Sequence, residues 1–438
     1  MEKTIISREN IKPSSPTPSH LKTYTGSILD QTSVPILIPF VLYFLPRTIN
    51  GDDFISLTTE QLKRSLSLVL TRFYPFAGRA NDDGESIDCN DAGADFTVAR
   101  FSGHRLLDIL KNPSQDLPDH LLPADLVSDG EKDWLSRVVA IQVNYFDCGG
   151  VAVGTLFWHR AADITTMVDF VQAWASVNRG SKLGFCPNYI SRILFPHKED
   201  FNYDPFAMIG SLRTGKWASR RYVFDSPSIE SLKTKTGLEN PTRVEAVSAL
   251  IWKCFMAASL ANGKSTSAMS HAVNLRGRFR PPFPSNCFGN FFGNSVAFIR
   301  NDNGVEYKDL ARKLRDSIRK IDEDYVSRLQ GDGRRSISGD VGGAEADILG
   351  VTSWCRMGIY DDIDFGWGKP VWTTAYCNGS CDETSRYVNL VWLMDSRVGG
   401  GIEARVLLGE GYMAVFDAID ELRDLASVEP SPVFGIAD

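Results

Sequence analysis

Apolar and polar positions along the chain separate into strand-like runs and helix-like stripes. Residues 33–46 (SVPILIPFVLYFLP) concentrate β-branched and aromatic residues between prolines, which predicts a buried strand. Leucine and valine then recur at helical spacing, which predicts a helix from about 59 to 73 with its N-cap at Thr58 or Thr59. Residues 86–103 alternate short apolar runs with Asp and Gly, which predicts a hairpin.

The most informative pattern surrounds a single histidine. The strand-like runs 138–146 (VVAIQVNYF) and 151–158 (VAVGTLFW) meet at a pair of glycines, which predicts a second hairpin. From Asp163 onward the apolar residues fall mainly on one helical face, and Asp163 is available as a capping residue. His159 and Asp163 therefore lie where a strand passes into a helix, and side chains there project from a rigid sheet.

The second half repeats this alternation after a segment without sustained periodicity. Residues 181–220 are rich in proline, glycine and asparagine, and we interpret them as a crossover between domains 1–180 and 221–438. The elements predicted beyond it are a strand and capped helix in 222–237, helices at 242–261 and 306–329, a strand near 269–274, a mobile loop at 330–343, a hairpin of 387–395 with 401–409, and a closing helix at 411–426.

Composition agrees with a two-domain globular protein. The 438 residues are 43% apolar and 23% charged, and two domains of ordinary size would form a cleft between them. The net charge of −7 argues against a nucleic-acid partner. No apolar run is long enough to cross a bilayer, so we expect no membrane partner. The N-terminal residues lack a basic segment followed by an apolar one, so we expect no signal peptide and a cytoplasmic protein.

The cysteines do not suggest a metal site. Eight cysteines are scattered along the chain, and the one close pair, Cys377 and Cys381, has no second pair or histidine nearby to complete a zinc site. We expect buried, reduced thiols and no bound metal. Phosphate-binding glycine loops, the G-x-S-x-G nucleophile elbow and H-E-x-x-H are also absent from the sequence.

His159 is the leading candidate for chemistry. An imidazole titrates near neutrality, so it can accept a proton from an alcohol during attack and return it to a leaving group. The alternative is a hydrogen-bonded histidine of the core. Asp163 lies four residues on, and its carboxylate either orients the ring or holds the loop. The spacing alone does not decide between these alternatives.

Two further segments carry candidate residues with structural alternatives. Residues 362–370 (DIDFGWGKP) place two glycines around an aromatic residue, and Asp364 can fix that path, which fits a structural turn or a cofactor loop. Arg276, Arg278 and Arg280 lie near a Pro-Pro turn. Such arginines bind phosphates, or one of them pairs with a buried carboxylate.

Taken together, these motifs resemble the BAHD acyltransferases, plant enzymes that move an acyl group from coenzyme A to an alcohol or amine. His159 and Asp163 form the H-x-x-x-D motif and 364–368 form an intact DFGWG, in the family's order and at about its separation. Further matches are YPFAGR (74–79), CGGVAVG (148–154), RVEAVSALIWKC (243–254), VNLRGR…PP…GN (273–290) and TSWCRMGIY (352–360), and the resemblance as a whole covers nearly the whole chain.

The resemblance implies an α/β fold like that of chloramphenicol acetyltransferase. Two similar-sized domains, each a mixed sheet flanked by helices, would enclose a channel at their interface. His159 would stand in that channel as the general base and activate the acceptor hydroxyl for direct attack on the thioester of an acyl-CoA cosubstrate. Asp163 would turn away from the channel and pair with Arg276, and so hold the loop.

The resemblance also assigns roles in the second half. Thr352 and Trp354 would donate hydrogen bonds near the developing oxyanion, for which a hydroxyl and an indole N–H are suitable. Asp364, Phe365, Gly366, Trp367 and Gly368 would be structural and remote from the histidine. The family pattern implies a monomer without a permanently bound cofactor.

Two departures from the family pattern bear on the substrates. Ile164 replaces the glycine that follows the aspartate in many members, and DITT resembles the branch that acylates alkaloids and terpenoids. We therefore expect acetyl-CoA as donor and a bulky, mostly apolar alcohol as acceptor. Arg160 would attract malonyl-CoA if it faced the channel, or else point to coenzyme A phosphates or solvent. A different acyl donor, or a cyclising or non-catalytic member that keeps the fold, is also compatible with these motifs.

Overall fold

A computed structural model describes residues 2–45, 52–123, 137–199, 201, 203–206, 209–210, 212–301, 304–331, 346–376, 381–397 and 399–435. Within these ranges the chain is a mixed α/β protein with two sheet-containing domains, as the resemblance implies. Most of the predicted mobile loop, residues 332–343, and Cys377 lie outside the described residues.

The described strands are β1 (Lys3–Ile11), β2 (Thr23–Thr25), β3 (Leu37–Phe44), β4 (Arg79–Ala80), β5 (Ser86–Asp88), β6 (Ala94–Phe101), β7 (Val139–Phe146), β8 (Val151–Trp158), β9 (Arg213–Thr214), β10 (Trp217–Phe224), β11 (Thr266–Asn274), β12 (Phe292–Arg300), β13 (Asp347–Ser353), β14 (Trp372–Thr374), β15 (Arg386–Tyr387), β16 (Leu390–Asp395), β17 (Ile402–Gly409) and β18 (Ser427–Val428).

The described helices are α1 (Ile28–Gln31), α2 (Asp52–Leu70), α3 (Leu106–Lys111), α4 (Leu117–His120), α5 (Ile164–Asn178), α6 (Ser191–Leu194), α7 (Ser226–Thr236), α8 (Arg243–Ala261), α9 (Tyr307–Arg319), α10 (Glu323–Gln330), α11 (Ile359–Asp362), α12 (Glu410–Asp417) and α13 (Asp420–Leu425), with short 3-10 turns at Ser19–Leu21 and Tyr74–Ala77.

The first sheet has six strands in the order β1-β6-β7-β8-β3-β14. The predicted hairpin of β7 and β8 is confirmed, with Tyr145 opposite Val151 and Gly149 at a φ of 82° in the turn. Helices α2 and α5 cover one face, where their apolar residues join those of the strands in a single core. This sheet therefore holds the end of β8, and with it His159, against a rigid support.

The second sheet has seven strands in the order β12-β11-β13-β16-β17-β10-β18. The core under it is formed with α7, α8, α9, α12 and α13. One strand crosses between the predicted domains, because Trp372–Thr374 pairs with Val41–Tyr43 at the edge of the first sheet. The boundaries 1–180, 181–220 and 221–438 stay a prediction. The structure adds that a strand from the predicted second domain, β14, completes the edge of the first sheet.

Several local predictions are confirmed by the element bounds. The apolar run after residue 33 forms β3, the strand and capped helix of 222–237 lie in β10 and α7, and the 242–261 segment is α8. The strand near 269–274 lies within β11, and the last hairpin is β16 with β17. Asp163, Asp225 and Thr242 each accept a hydrogen bond from the third residue of the helix that follows, so side-chain capping sets these three starts.

Other predictions about local structure are wrong. Helix α2 begins at Asp52, so Thr58 and Thr59 lie inside it and not at its start. The predicted hairpin at 86–103 is two strands of different sheets, because β5 pairs with β2 and β4 while β6 pairs with β1 and β7. The helix predicted at 306–329 is broken between α9 and α10, where the Asp322 side chain caps a new start. The closing helix divides likewise into α12 and α13.

Helix α8 is long and apolar enough to cross a membrane by length and composition, but 67% of its apolar window is buried inside the protein. Its residues pack against β11, β13 and the helices α7, α9 and α12. This burial is the arrangement of a core helix.

A second buried histidine predicts a loss of stability in mild acid. His271 on β11 lies beside α8, where Nε2 is 3.1 Å from the Ser248 hydroxyl, and burial lowers its pKa from 6.5 to about 4. The unfolded chain binds this proton before the folded chain does, so the free energy of unfolding falls as the pH drops from 6.5 toward 4. We expect a loss on the order of 2 kcal/mol between about pH 7 and pH 5, measured by urea unfolding.

The matched variant is His271→Gln, which keeps a polar group opposite Ser248 and does not titrate. It should lose this part of the acid sensitivity, and the difference between the two proteins isolates His271 because they share every other titratable group. An equal loss of stability in both would contradict the lowered pKa.

Candidate active site

His159 directly follows β8 and is half-buried between the two sheets. Its backbone N–H donates to the Ile36 carbonyl at 2.9 Å, and its own carbonyl accepts from the Ala162 N–H at 3.3 Å. The ring lies 5.9 Å from the Phe292 ring of β12, inclined at 38°. A residue of the first domain thus presents its imidazole to a strand of the second.

The imidazole lines a cavity of about 210 Å³ that is partly open to solvent. Its walls come from both halves of the chain, with Ile36 and Ile38 on one side and Thr352, Trp354 and Trp392 on the other. His159 is therefore not sealed in an apolar core. The alternative of a purely structural core histidine does not fit this position.

Burial lowers the pKa of His159 below its ordinary value, and this effect outweighs the opposing attraction of the Asp163 carboxylate. The neutral imidazole is the form that burial favours. A neutral imidazole is the form that accepts a proton.

The sequence left two roles open for Asp163, and the geometry separates them. Arg276 donates to it twice, from Nη1 to Oδ2 at 2.6 Å and from Nη2 to Oδ1 at 3.1 Å. Oδ1 also accepts from Thr166 and Oδ2 from the Phe291 N–H. Both carboxylate oxygens already accept hydrogen bonds, so Asp163 caps α5 and connects the two domains and does not orient the His159 ring. It nevertheless forms part of the cavity wall.

Burial by itself would raise the pKa of Asp163, but the Arg276 guanidinium and the hydrogen bonds hold that pKa below its ordinary value. Arg276 is itself buried, and it also donates to the carbonyls of Cys287 and Gly289. Of the two interpretations of Arg276, pairing with a buried carboxylate is the one that the structure bears out. Arg278 donates to the Ile321 carbonyl.

Asn290 is a site residue that the sequence reasoning missed. Its Nδ2 donates to the His159 carbonyl at 2.8 Å and to Oδ1 of the buried Asp30 at 2.9 Å. Burial raises the pKa of Asp30 to about 6, although Asn290 and Ser27 donate hydrogen bonds to it. The only signal for Asn290 in the sequence was its place at the end of the VNLRGR…PP…GN match (273–290), which by itself indicates no role, and Asp30 had no signal.

Thr352 and Trp354 reach the cavity from the end of β13. Thr352 is half-buried, and Trp354 is buried with its ring edge-on to Phe40 at 5.8 Å. Within the described ranges the Trp354 indole N–H donates to no other residue, although its backbone N–H donates to the Leu393 carbonyl. The structure therefore brings both predicted donors to the cavity that His159 lines.

The DFGWG segment lies at the opposite end of the helix that Asp163 caps. Asp364 Oδ1 accepts from the N–H groups of Gly366 and Gly368, at 2.7 and 3.0 Å, and Arg179 at the end of α5 is 3.6 Å from Oδ2. Asn178 of α5 donates to the Phe365 carbonyl at 2.7 Å.

The two aromatic residues of the segment, Phe365 and Trp367, pack on Phe44 of the first sheet. None of the five DFGWG residues is among those that line the cavity, and the hydrogen bonds that Asp364 accepts within the segment fit the structural turn.

Arg160 does not face the cavity. Its Nη1 donates to the Gly84 carbonyl at 2.7 Å and its Nε to the Ser33 carbonyl at 3.3 Å, with the carboxylates of Asp83 and Glu85 nearby. Arg160 therefore does not meet the condition under which it would attract a carboxylated acyl group, because its guanidinium donates to the loop that contains Gly84.

The cavity wall is largely apolar and carries few charges. Among the described residues that line it there is no lysine, arginine or glutamate, and its one carboxylate, Asp163, is paired. Ile164, the departure from the family pattern, is part of this wall. No group of three His, Cys, Asp or Glu side chains suited to a metal ion occurs in the described ranges.

These features fit a two-domain acyl-transfer enzyme with an imidazole in a cavity that both halves of the chain line. The sequence matches the Transferase family over residues 1–422. The chain belongs to this family, the BAHD acyltransferases.

Two curated relatives illustrate the similarity. The limonoid 1-O-acetyltransferase of Citrus sinensis is 34% identical over 458 residues, which cover 98% of this chain and 100% of that protein. The stemmadenine O-acetyltransferase of Catharanthus roseus is 35% identical over 424 residues, covering 94% and 96%. Both names are those of plant O-acetyltransferases, one acting on a limonoid and the other on stemmadenine.

The solved structures agree with the fold. The crystal structure of vinorine synthase superimposes with a TM-score of 0.81 at 32% identity, covering 97% of this chain and 99% of that one. TRI101 of F. sporotrichioides, solved with coenzyme A and T-2, superimposes with a TM-score of 0.69 at 17% identity, covering 93% and 99%, and shows the fold alone.

Proposed function

We propose that this enzyme transfers an acetyl group from acetyl-CoA to a hydroxyl group of an alkaloid or terpenoid-type alcohol. The observation that carries the proposal is the cavity that His159, Thr352 and Trp354 line together, whose described wall is largely apolar and has no free cation. The names of the related proteins and the coenzyme A bound to TRI101 support the same donor and acceptor classes.

In this proposal His159 is the general base. The neutral ring takes the proton of the acceptor hydroxyl as the oxygen attacks the thioester carbon, so a C–O bond forms and no acyl-enzyme is made. The Thr352 hydroxyl and the Trp354 indole N–H donate to the oxyanion of the tetrahedral intermediate. When the intermediate collapses, the C–S bond breaks and the imidazolium returns the proton to the coenzyme A sulfur.

The cavity wall favours acetyl over malonyl. A malonyl group carries a carboxylate, and burying it without a cation leaves an unpaired charge. The two arginines near the site are engaged elsewhere, Arg276 with Asp163 and Arg160 with the Gly84 and Ser33 carbonyls.

The test is free thiol release and product mass with acetyl-CoA, malonyl-CoA and a panel of hydroxylated alkaloids and terpenoids. We expect a product heavier by one acetyl group, and a kcat/KM with malonyl-CoA lower by at least about tenfold, which corresponds to about 1.4 kcal/mol. Thiol release at background level with every alcohol would favour a non-catalytic member, and an unchanged mass would favour a cyclising one. Equal rates with both donors would contradict the argument from charge.

We further propose that the protein is a cytoplasmic monomer. The seven described cysteines are free thiols, which suits a reducing compartment. Size-exclusion chromatography with light scattering tests the oligomeric state, and a mass of two chains would contradict it.

A further inference from the structure

A second, much smaller cavity adjoins the catalytic one. It measures about 20 Å³, and three of its lining residues, Thr32, Phe292 and Asn294, also line the catalytic cavity. Its other walls are Leu29, Tyr203, Gly293, Tyr325 and Leu329. These three shared residues form the partition between the two spaces, and Phe292 carries the largest side chain among them.

This ring also stands beside the base. Phe292 is half-buried at the start of β12, and its centroid lies 5.9 Å from that of His159. A group whose hydroxyl reaches the imidazole therefore meets the Phe292 ring as well. In the proposed reaction that group is the acceptor and not the acyl chain.

Asn294 offers a polar contact on the same side of the strand. It lies two residues after Phe292, so both side chains point to one face of β12, and it is paired with Ala272, which also lines the catalytic cavity. Among the described residues its side-chain amide makes no hydrogen bond, while it is half-buried. A ligand oxygen at this place would satisfy it.

The size of the catalytic cavity makes this partition important. Its 210 Å³ lies below the roughly 300–1,000 Å³ of sites that enclose drug-sized molecules. An alcohol with several fused rings needs more room than that. Phe292 belongs to this partition and lies beside His159, so a shorter side chain at this position adds room next to the base on the side of the second cavity.

We propose that Phe292 and Asn294 select the acceptor. The Phe292 ring limits the size of the alcohol that can reach His159, and the Asn294 amide binds an oxygen atom elsewhere on a larger, oxygenated skeleton. This inference rests on the proposed function, which makes the molecule beside His159 and Phe292 the acceptor. It narrows the acceptor class to an apolar alcohol that carries a second oxygen atom.

The test measures binding, so that it does not depend on turnover. Trp354 and Trp392 line the catalytic cavity, and their fluorescence reports occupancy without coenzyme A. The probes are borneol, a compact alcohol, and testosterone, a larger alcohol with a ketone at its far end. For Phe292→Ala we expect the Kd of testosterone to fall by about tenfold and that of borneol by less than about twofold.

Phe206→Ala is the matched control, because Phe206 lines the catalytic cavity but not the second one. This change also removes a phenyl ring but leaves the partition in place, so it should not strengthen the binding of testosterone relative to that of borneol. Phe292→Leu serves if the alanine variant does not fold, as judged by circular dichroism, and should show a smaller shift in the same direction.

A second variant tests the amide. In the Phe292→Ala background, Asn294→Leu should raise the Kd of testosterone by about five- to tenfold, which corresponds to the loss of one buried hydrogen bond. The Kd of the same steroid alcohol without its ketone should stay nearly unchanged. Equal effects on the two steroids would overturn the role of Asn294. An equal change for borneol and testosterone in Phe292→Ala would overturn the size limit.

These outcomes are separate from the test of the proposed function. Selective binding without acetyl transfer would contradict the enzyme proposal and leave the selection by Phe292 intact. Acetyl transfer with no change in selectivity would support the enzyme proposal and contradict the selection by Phe292.

Discussion

Replacing His159 with alanine is expected to lower the rate of acetyl transfer by about 10²–10⁴-fold, the usual contribution of a positioned general base. The imidazole is the sole side chain in the described cavity wall suited to take a proton near neutral pH, because Asp163 is held ionised by Arg276. The measurement is the initial rate of thiol release with acetyl-CoA and an accepted alcohol. The unfolding temperature should change little, since the ring is half-buried and borders a cavity.

His271→Gln provides the matched control for this variant. It also removes a histidine, but one that faces α8 and does not line the cavity, so its activity near pH 7 should stay close to that of the unaltered protein. Loss of activity in both variants would point to a general effect on folding. Full activity of His159→Ala would exclude the histidine as base.

The pH dependence of the same reaction follows from the lowered pKa of His159. Because burial favours the neutral ring, the imidazole of the free enzyme stays neutral, and so able to accept a proton, at pH values below the ordinary pKa of 6.5. A profile of kcat/KM against pH should therefore decline on the acid side at a pH below that value.

Asp163→Asn is expected to destabilise the protein by about 3–5 kcal/mol, since it leaves the Arg276 guanidinium buried without its counter-charge. Both side chains are nearly inaccessible, at 8% and 5% of their surface, and their closest atoms are 2.6 Å apart. The loss should appear in urea unfolding at neutral pH. Activity should fall as well, because the same carboxylate caps α5 next to His159.

A double-mutant cycle with Arg276→Met separates the pair from other effects. The two changes together should cost clearly less than the sum of the single changes. Asp169→Asn on the same helix is the matched control, because burial raises the pKa of Asp169 to about 7 and Arg276 acts on it electrostatically without forming an ion pair with it. It should cost little, whereas additivity between Asp163 and Arg276 would show that their contact contributes nothing.

Elements with strong local signals were predictable from the sequence. The β7–β8 hairpin has two apolar runs on either side of a glycine pair, and α5, α7 and α8 have capping side chains at their starts. The error at 86–103 occurs where the sequence offers no local signal. Nothing near Ser86 indicates that β5 joins β2 and β4 while β6 joins another sheet, because strand partners are chosen by distant contacts.

The site divides in the same way. The resemblance named His159, Asp163 and Arg276, and the geometry agrees with the pairing it implied. Asn290 and Phe292 went unassigned because their importance depends on which atoms approach from the other domain, namely the His159 carbonyl and ring. Neither residue type carries that information in its own neighbourhood.

The sequence by itself determined the family, the residue types able to carry the chemistry, and the local strand-to-helix junction that holds His159. Only the tertiary structure decided that both oxygens of Asp163 are occupied, that Arg160 is turned to the Gly84 loop, and that the described cavity wall lacks a free cation. The physical reason is the range of the interactions. Capping and periodicity act within a few residues, whereas an ion pair or a cavity wall joins side chains that are far apart along the chain.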